Sequence, residues 1–262
     1  MQISLIGKRA LVCGSSQGIG KAAAIALAFA GADITLLSRN EDKLKEVKSE
    51  LDTIRQGKHH IVTADFSYPE QVQAAIEKYL SEGHEIDILI NNTGGPPSGP
   101  ITEASIDAFR LAFEQHLINN HLLTQACLPG MKRKKNGRII NIISTSVKQP
   151  LPNLGVSNTI RAAVGNWAKT MANELGPFGI TVNNVLPGAT ATSRLDNIFE
   201  NKSKKTGESI EKIEQEMKAE IPARRFAQPE EIAAAVVFLA SNQAAYINGI
   251  NLPVDGGRTG NL

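Results

Sequence analysis

The sequence predicts an α/β protein: a single-domain, doubly wound parallel sheet of about seven strands with helices on both faces. Three observations point there. Short runs rich in β-branched residues recur at 9–13, 33–38, 60–64, 86–91, 138–143, 181–186 and 251–254, and helical stretches separate each from the next. Parallel neighbours need a crossover connection, and alternating helices supply it. The first run stops at a glycine where a small-residue helix begins, in Leu11-Val12-Cys13-Gly14-Ser15-Ser16-Gln17-Gly18-Ile19-Gly20-Lys21. A chain of 262 residues with 42% hydrophobic and 5% aromatic content is long enough for one well-buried domain.

The bulk numbers also exclude classes of function. A net charge of +2, with no basic patch interleaved with aromatics, gives no reason to expect nucleic acid as a partner. The longest weakly polar run, 22–32, is shorter than the ~18 residues that suggest a membrane span, and residues 1–10 lack a signal-peptide core, so the expected setting is cytoplasmic. Cys13 and Cys127 have neither disulfide-framework nor metal-ligand spacing and read as small buried residues. No His, Cys or carboxylate cluster suggests a metal.

Taken in order, the first strand hands over to a phosphate-binding turn formed by Gly14, Ser16, Gln17, Gly18, Ile19 and Gly20. Gly14 lets the chain leave the strand sharply, Gly18 lets backbone approach a pyrophosphate, and Gly20 lets the helix pack closely on the sheet. The free N–H groups of the helix start then face the anion. The Gly-x-x-x-Gly-x-Gly spacing resembles that of the short-chain dehydrogenase/reductase family, which implies a Rossmann-type dinucleotide-binding domain over 1–262.

The second strand ends Ser38-Arg39-Asn40, where an NAD-type site usually carries a carboxylate for the ribose 2′-hydroxyl. Arg39 suits a 2′-phosphate, so NADP(H) is favoured over NAD(H), although Gln17 occupies a place that is basic in many NADP-preferring relatives. The alternative is a solvated arginine at a helix start. After the third strand, the resemblance implies that Asp65 bonds the adenine amine and Phe66 lines its pocket, against the alternative of a plain helix N-cap region. The fourth strand leads into Asn91-Asn92-Thr93-Gly94-Gly95, similar to the family's Asn-Asn-Ala-Gly motif except at Thr93. That motif implies a role for Asn91, Thr93 and Gly94 in stabilising the sheet and reaching the adenosine ribose. The rigid loop 96–100, Pro-Pro-Ser-Gly-Pro, is expected to border a substrate entrance.

Periodicity predicts one long helix over 106–128. The resemblance places the family's catalytic asparagine at His116, where an imidazole either touches the relay water or fills space. The fifth strand ends at Ser144, the residue expected to polarise a substrate carbonyl. Downstream, where the family carries Tyr-x-x-x-Lys, the chain reads Ser157-Asn158-Thr159-Ile160-Arg161, and Ala162-Ala163-Val164 anchors the register. The tyrosines, Tyr68, Tyr79 and Tyr246, are followed four residues later by Val72, Gly83 and Ile250, so the motif stands nowhere else. An aliphatic hydroxyl is a far weaker acid than a phenol with pKa near ~10, and loss of a positioned acid typically lowers rate by ~10² to 10⁴-fold. Ser157 and Arg161, four residues apart, share a helix face, where Arg161 is expected to hold the nicotinamide ribose and stabilise a developing oxyanion. Water or His116 then delivers the proton.

The helix over 158–174, carrying Trp167, packs on a partner subunit in the family, which implies a homodimer or homotetramer. Pro187-Gly188 and the residues to Thr192 match the family's Pro-Gly-x-x-x-Thr segment, implying that Pro187, Gly188 and Thr190 meet the carboxamide and Thr192 bonds the cofactor. Residues 189–224 read as a substrate-lid insertion, highly charged over 193–223. Lys202, Lys204, Lys205, Arg224 and Arg225 there suggest attraction of an acidic carrier, opposed by Glu208, Glu211, Glu214 and Glu216. The stretch 225–241 resembles the penultimate helix of bacterial 3-oxoacyl-carrier-protein reductases. The expected function is an NADP(H)-dependent oxidoreductase of a ketone, alcohol or acyl thioester, with an atypical active site. The alternative is a catalytically impaired dinucleotide-binding sensor or scaffold, and no residue identifies the substrate.

Overall fold

The computed structural model describes residues 3–261, so positions 1, 2 and 262 of the expected domain lie outside the described residues. Strands β1 (Arg9–Cys13), β2 (Asp33–Ser38), β3 (His60–Thr63), β4 (Ile88–Asn91), β5 (Gly137–Ile142), β6 (Ile180–Pro187) and β7 (Asn251–Val254) form one sheet in the order β3-β2-β1-β4-β5-β6-β7. Every pairing is parallel. The chain runs outward from β1 in one direction and from β4 in the other. The loops leaving these two strands therefore diverge and open a crevice at their carboxyl ends.

Both faces of the sheet are buried, because successive strand residues point to opposite sides and each side meets helices. Val12, Ile88 and Ile90 join a core with α1 (Gly18–Phe29), α2 (Glu41–Ile54) and α9 (Pro229–Ala240). Leu11, Cys13 and Leu89 join the opposite core with α3 (Pro69–Ser81), α5 (Asn119–Lys134) and α6 (Gly155–Leu175). Burial pushes the Cys13 thiol far up and the Cys127 thiol up to about 12, so both stay protonated and unreactive. Among the described residues no helix is long and apolar enough to cross a membrane.

The helix expected over 106–128 is present and runs on to Lys134, as α4 (Ile106–Phe113), a π turn at Glu114–Ile118 and α5 in unbroken succession. The π turn inserts a residue and swings His116 inward to 1% exposure, which periodicity cannot register because the apolar spacing survives on either side. The charged insertion is two helices, α7 (Ser193–Thr206) and α8 (Ile210–Ala219), separated at Gly207 with φ +75°. They close on a small core of their own, made of Leu195, Phe199, Ile213, Ile221 and Phe226.

A line of amides crosses half the sheet. Asn91 Nδ2 donates to Asn141 Oδ1 at 2.9 Å, Asn141 Nδ2 to Asn184 Oδ1 at 2.8 Å, and Asn184 Nδ2 to Asn251 Oδ1 at 2.8 Å. Each pair is also a register pair of neighbouring strands. Removing the middle amide strands a buried donor and a buried acceptor. Asn141→Ala is expected to lose ~2–4 kcal/mol in urea denaturation, and an unchanged midpoint would show that the line contributes nothing to stability.

Candidate active site

The glycine turn is built for close approach. Gly14 has φ +58°, and a Cβ there would lie 2.6 Å from the Asn92 carbonyl oxygen; a Cβ on Gly20 would collide with the Gly14 carbonyl. Asn92 Nδ2 donates to the Cys13 carbonyl at 3.2 Å, joining the turn to the end of β4. The Ser15 hydroxyl accepts the Leu37 N–H at 3.0 Å, joining it to β2. At the start of α1, Gln17 makes no side-chain cap and the first turn holds no acidic residue. The N–H groups of Gly18, Ile19 and Gly20 are thus left for a ligand anion, with Ser16 beside them, and these residues fit a dinucleotide pyrophosphate.

At the end of β2, Arg39 is 76% exposed and 3.8 Å from Asp65 Oδ2. The Ser38 hydroxyl beneath it is buried without a partner. Lys43 Nζ reaches Gln17 Oε1 at 3.5 Å and so adds a second cation to this rim. Sequence reading missed Lys43, which lies one helical turn beyond Arg39. Two cations and an unpaired hydroxyl at the end of β2 fit a ribose 2′-phosphate, with Asp65 and the first-turn acids Glu41 and Asp42 of α2 as the neighbouring carboxylates.

Asp65 Oδ1 accepts the Ser67 N–H at 2.9 Å, and the Phe66 carbonyl accepts from Asn119 Nδ2 at 2.7 Å. Gln115 Nε2 in the π turn donates to the Ser67 hydroxyl at 3.0 Å, so this loop is tied to the long helix. Asn91 is 2% exposed, and its side-chain amide is turned into the sheet toward Asn141, which leaves only its backbone to reach a ligand. It positions Asn92, Thr93 and Gly94 instead of touching a ligand through its side chain.

Thr93 Oγ1 and His116 Nδ1 share a hydrogen bond of 2.5 Å, while His116 Nε2 is buried without a partner. Burial, reinforced by Arg161 and Arg194, pushes the His116 pKa down to about 2. The ring is therefore a neutral imidazole at working pH and holds no stored proton. Ser144 begins the short turn after β5, its hydroxyl accepting the Ser146 N–H at 3.1 Å. The first half of α6 packs on that turn and on the π turn. Ser157 is 7% exposed and Arg161 8%, both on the same face of α6. Arg161 Nη1 donates to the Ile142 carbonyl at 3.2 Å and its Nε is unpartnered. Burial, then Arg194, lowers its pKa to about 10, so it remains a cation near neutrality. Arg161 thus shares a helix face with Ser157 and is bonded to the carbonyl two residues before Ser144, and a buried cation so placed can stabilise an oxygen that gains negative charge.

Beyond β6, a Cβ on Gly188 would lie 2.7 Å from the Asp255 Cα, so Pro187 and Gly188 pass tightly under the final turn. Thr190 Oγ1 donates to the Gly188 carbonyl at 3.1 Å, and Thr192 Oγ1 to the Thr190 carbonyl at 3.3 Å. The Thr192 methyl lies 3.4 Å from where a Gly18 Cβ would stand, which sets Thr192 over the glycine turn. A cavity of about 530 Å³ opens beside it, lined by Thr192, Asp196, Phe199 and Phe226 among others. The cations of this region are mostly committed within the fold: Arg225 forks Glu231 at 2.6 Å through two nitrogens, Lys202 pairs with Glu216 at 3.6 Å, and Arg224 donates to the Ala219 carbonyl. Lys204 and Lys205 of the same stretch are exposed, with no ion pair among the described residues. Arg194 reaches back instead, donating to the Gly95 carbonyl at 2.9 Å and to the Pro96 carbonyl at 3.4 Å. Sequence reading missed it as well, since its role depends on a contact with a loop far away in the chain. Among the described residues no group of His, Cys, Asp and Glu could hold a metal ion.

A family model described as enoyl-(acyl carrier protein) reductase matches residues 14–259. The chain is 34% identical to the NADPH-dependent reductase BacG of Bacillus subtilis over 95% of its length and 97% of that protein. It is also 34% identical to the 3-oxoacyl-[acyl-carrier-protein] reductase FabG of Aquifex aeolicus, over 98% of its length and 99% of that protein. The crystal structure of L-sorbose reductase from Gluconobacter frateurii with NADPH and L-sorbose is similar at a TM-score of 0.94, with 33% identity over 100% of both chains.

The neutral state of His116 makes stability fall in acid. Unfolded, the imidazole takes a proton below its ordinary pKa of 6.5, whereas the folded ring resists to about 2, so the unfolded state gains as pH drops through 6.5. Between about pH 7.5 and 5 the wild type is expected to lose ~2 kcal/mol more than His116→Asn in urea denaturation. Equal losses would mean that the imidazole is protonated in place.

Proposed function

From the premise that this chain belongs to the short-chain dehydrogenase/reductase family, we propose that it is an NADP(H)-dependent oxidoreductase interconverting a ketone and an alcohol. Serine and arginine stand in it where the family's tyrosine and lysine stand. The observation that carries the reading is a complete dinucleotide cradle leading to a buried cation, Arg161, that has no counter-ion of its own. The turn Gly14 to Gly20 and Thr192 would hold the pyrophosphate, Arg39 and Lys43 the 2′-phosphate, Asp65 and Phe66 the adenine, and Pro187, Gly188 and Thr190 the carboxamide. Bound NADPH supplies the hydride that reaches the carbonyl carbon. Ser144 and Ser157 donate their hydroxyls to the carbonyl oxygen, and Arg161 offsets the negative charge that grows there. The proton that completes the alcohol comes from water at the His116 edge. His116 would return a proton to that water from Nε2 as Nδ1 takes one from the Thr93 hydroxyl, which solvent resupplies, in keeping with a ring that stays neutral overall.

Residues 189–224 act as the lid over this centre, with Thr192 and Arg194 as its contacts to the glycine turn and to the loop after β4. The exposed apolar residues Ile106, Leu111 and Phe113 on and beside α4 suit contact with a second copy of the chain, giving a homo-oligomer in a cytoplasmic setting. A second reading, a dinucleotide-binding protein without turnover, is favoured by the replacement of a phenol by the Ser157 hydroxyl.

Titration with NADPH and NADH, followed by NADPH oxidation against ketones and 3-oxoacyl thioesters, separates the two. Turnover supports the reductase; tight NADPH binding with none on any substrate supports the binding protein. Arg39→Ala is expected to weaken NADPH ~10–100-fold and to leave NADH nearly unchanged; equal effects on both would remove the 2′-phosphate assignment. The double variant Ser157→Tyr, Arg161→Lys is expected to raise kcat ~10²-fold or more on a substrate the pocket already accepts.

A further inference from the structure

The insertion after β6 leaves and rejoins the body of the chain through a narrow base. Thr190 lies opposite Ala227 in a short parallel bridge, where the Ala191 N–H donates to the Ala227 carbonyl at 2.8 Å and the Ala227 N–H to the Ala189 carbonyl at 2.9 Å. Beyond that base α7 and α8 pack on each other around Leu195, Phe199, Ile213, Ile221 and Phe226. A segment with its own small core and a narrow base moves as a unit unless its ends are fastened elsewhere. Arg194 fastens the leading end to the loop after β4.

The C-terminal tail fastens the trailing end. Arg258 Nη2 meets Glu220 Oε2 at 2.5 Å, and the Ala223 N–H donates to the Gly256 carbonyl at 3.1 Å. Gly256 has φ +65°, and a Cβ there would lie 2.9 Å from Ile221 Cγ2, so the tail and the lid end touch closely. Asp255 shapes the tail for this contact, its carboxylate accepting the N–H groups of Gly257 at 3.0 Å and Thr259 at 2.8 Å. Past that turn the tail crosses to the loop after β5. The Gly260 N–H donates to Gln149 Oε1 at 3.4 Å, and Asn261 Nδ2 donates to the Lys148 carbonyl at 3.0 Å. Loop, lid end and tail together wall a cavity of about 250 Å³, lined by Thr145, Gln149, Leu151, Glu220, Arg258 and Thr259 among others. Thr145 follows Ser144 directly, so this cavity adjoins the reacting end. Arg258 and Glu220 are 24% and 58% exposed, and an ion pair that water reaches breaks more readily than the backbone bonds beside it. We propose that the tail 255–261 is a strap holding the lid closed against the loop after β5, with Arg258–Glu220 as its releasable latch and Arg258 as a positioning residue for the substrate compartment. What the compartment holds rests on the reductase reading; the latch does not.

Hydrogen–deuterium exchange of the full chain with NADP⁺ present is followed in α7 and α8, with α5 as reference. The variants are Arg258→Met, Glu220→Gln, the two combined, and the swapped pair Arg258→Glu with Glu220→Arg. Amides of α7 and α8 are expected to exchange ~3–5-fold faster in either single variant, no faster in the combination, and at near the wild-type rate in the swapped pair, with α5 unchanged. On a ketone that the protein reduces, Arg258→Met is expected to raise KM ~3–5-fold with kcat within about twofold, and the swapped pair to restore KM. Unchanged exchange in α7 and α8 overturns the proposal. So does an equal acceleration in α5, which would make the pair a contributor to global stability alone, and so does an acceleration that the swapped pair does not reverse. An unmoved KM on a reduced ketone removes Arg258 from positioning. If no ketone is reduced, the reductase reading falls and exchange alone decides the strap.

Discussion

Four asparagine amides in a row, Asn91, Asn141, Asn184 and Asn251, hold β4, β5, β6 and β7 in a single register, and the crevice takes its shape from that line. A slip of one residue would turn every amide to the opposite face and bury it against apolar helices with no partner. The loops that leave these strands therefore have no freedom to slide. Thr93, Ser144, Pro187 and Asp255 arrive at the same edge because the strands before them are locked together. Asn92 extends the tie to the glycine turn of β1, so the phosphate end and the reacting end of the crevice share one frame.

On that frame the electrostatics are one-sided. The start of α1 is uncapped, Arg39 and Lys43 stand at the rim of β2, and Arg161 and Arg194 stand over the reacting end. The same two arginines, acting with burial, keep His116 neutral. Positive charge at the reacting end favours a transition state that gains negative charge on oxygen. The centre proposed from Ser144, Ser157 and Arg161 would replace an acid of shifted pKa with a fixed cation. The cation offsets the same developing charge but cannot itself give up the proton.

Much of this was legible in the residues. The central strands appear as β-branched runs because they are buried on both faces, and the edges of all seven shifted by only a residue or two. The glycine turn was readable because close approach of backbone excludes a Cβ at Gly14 and Gly20, whatever the surroundings. Arg39 was readable because it sits where a carboxylate is otherwise needed. The π turn at Glu114–Ile118, by contrast, left no trace in the apolar spacing. Which basic residues of the insertion pair within the fold was not legible either: Lys202 meets Glu216 and Arg225 meets Glu231. Nor was the amide line in which the Asn91 side chain takes its place.

By itself the sequence determined the strand and helix alternation, the phosphate turn, the cation at the end of β2, and the replacement of tyrosine and lysine by Ser157 and Arg161. All of these are matters of local spacing and residue type, set within a turn or two of chain. The tertiary structure decided which polar groups meet: Thr93 with His116, Arg194 with Gly95, and Asn91 with Asn141 and onward to Asn251. Partners so distant along the chain are chosen by strand register and helix packing. Burial among those partners, absent from any local stretch, is what leaves His116 neutral and Arg161 a buried cation.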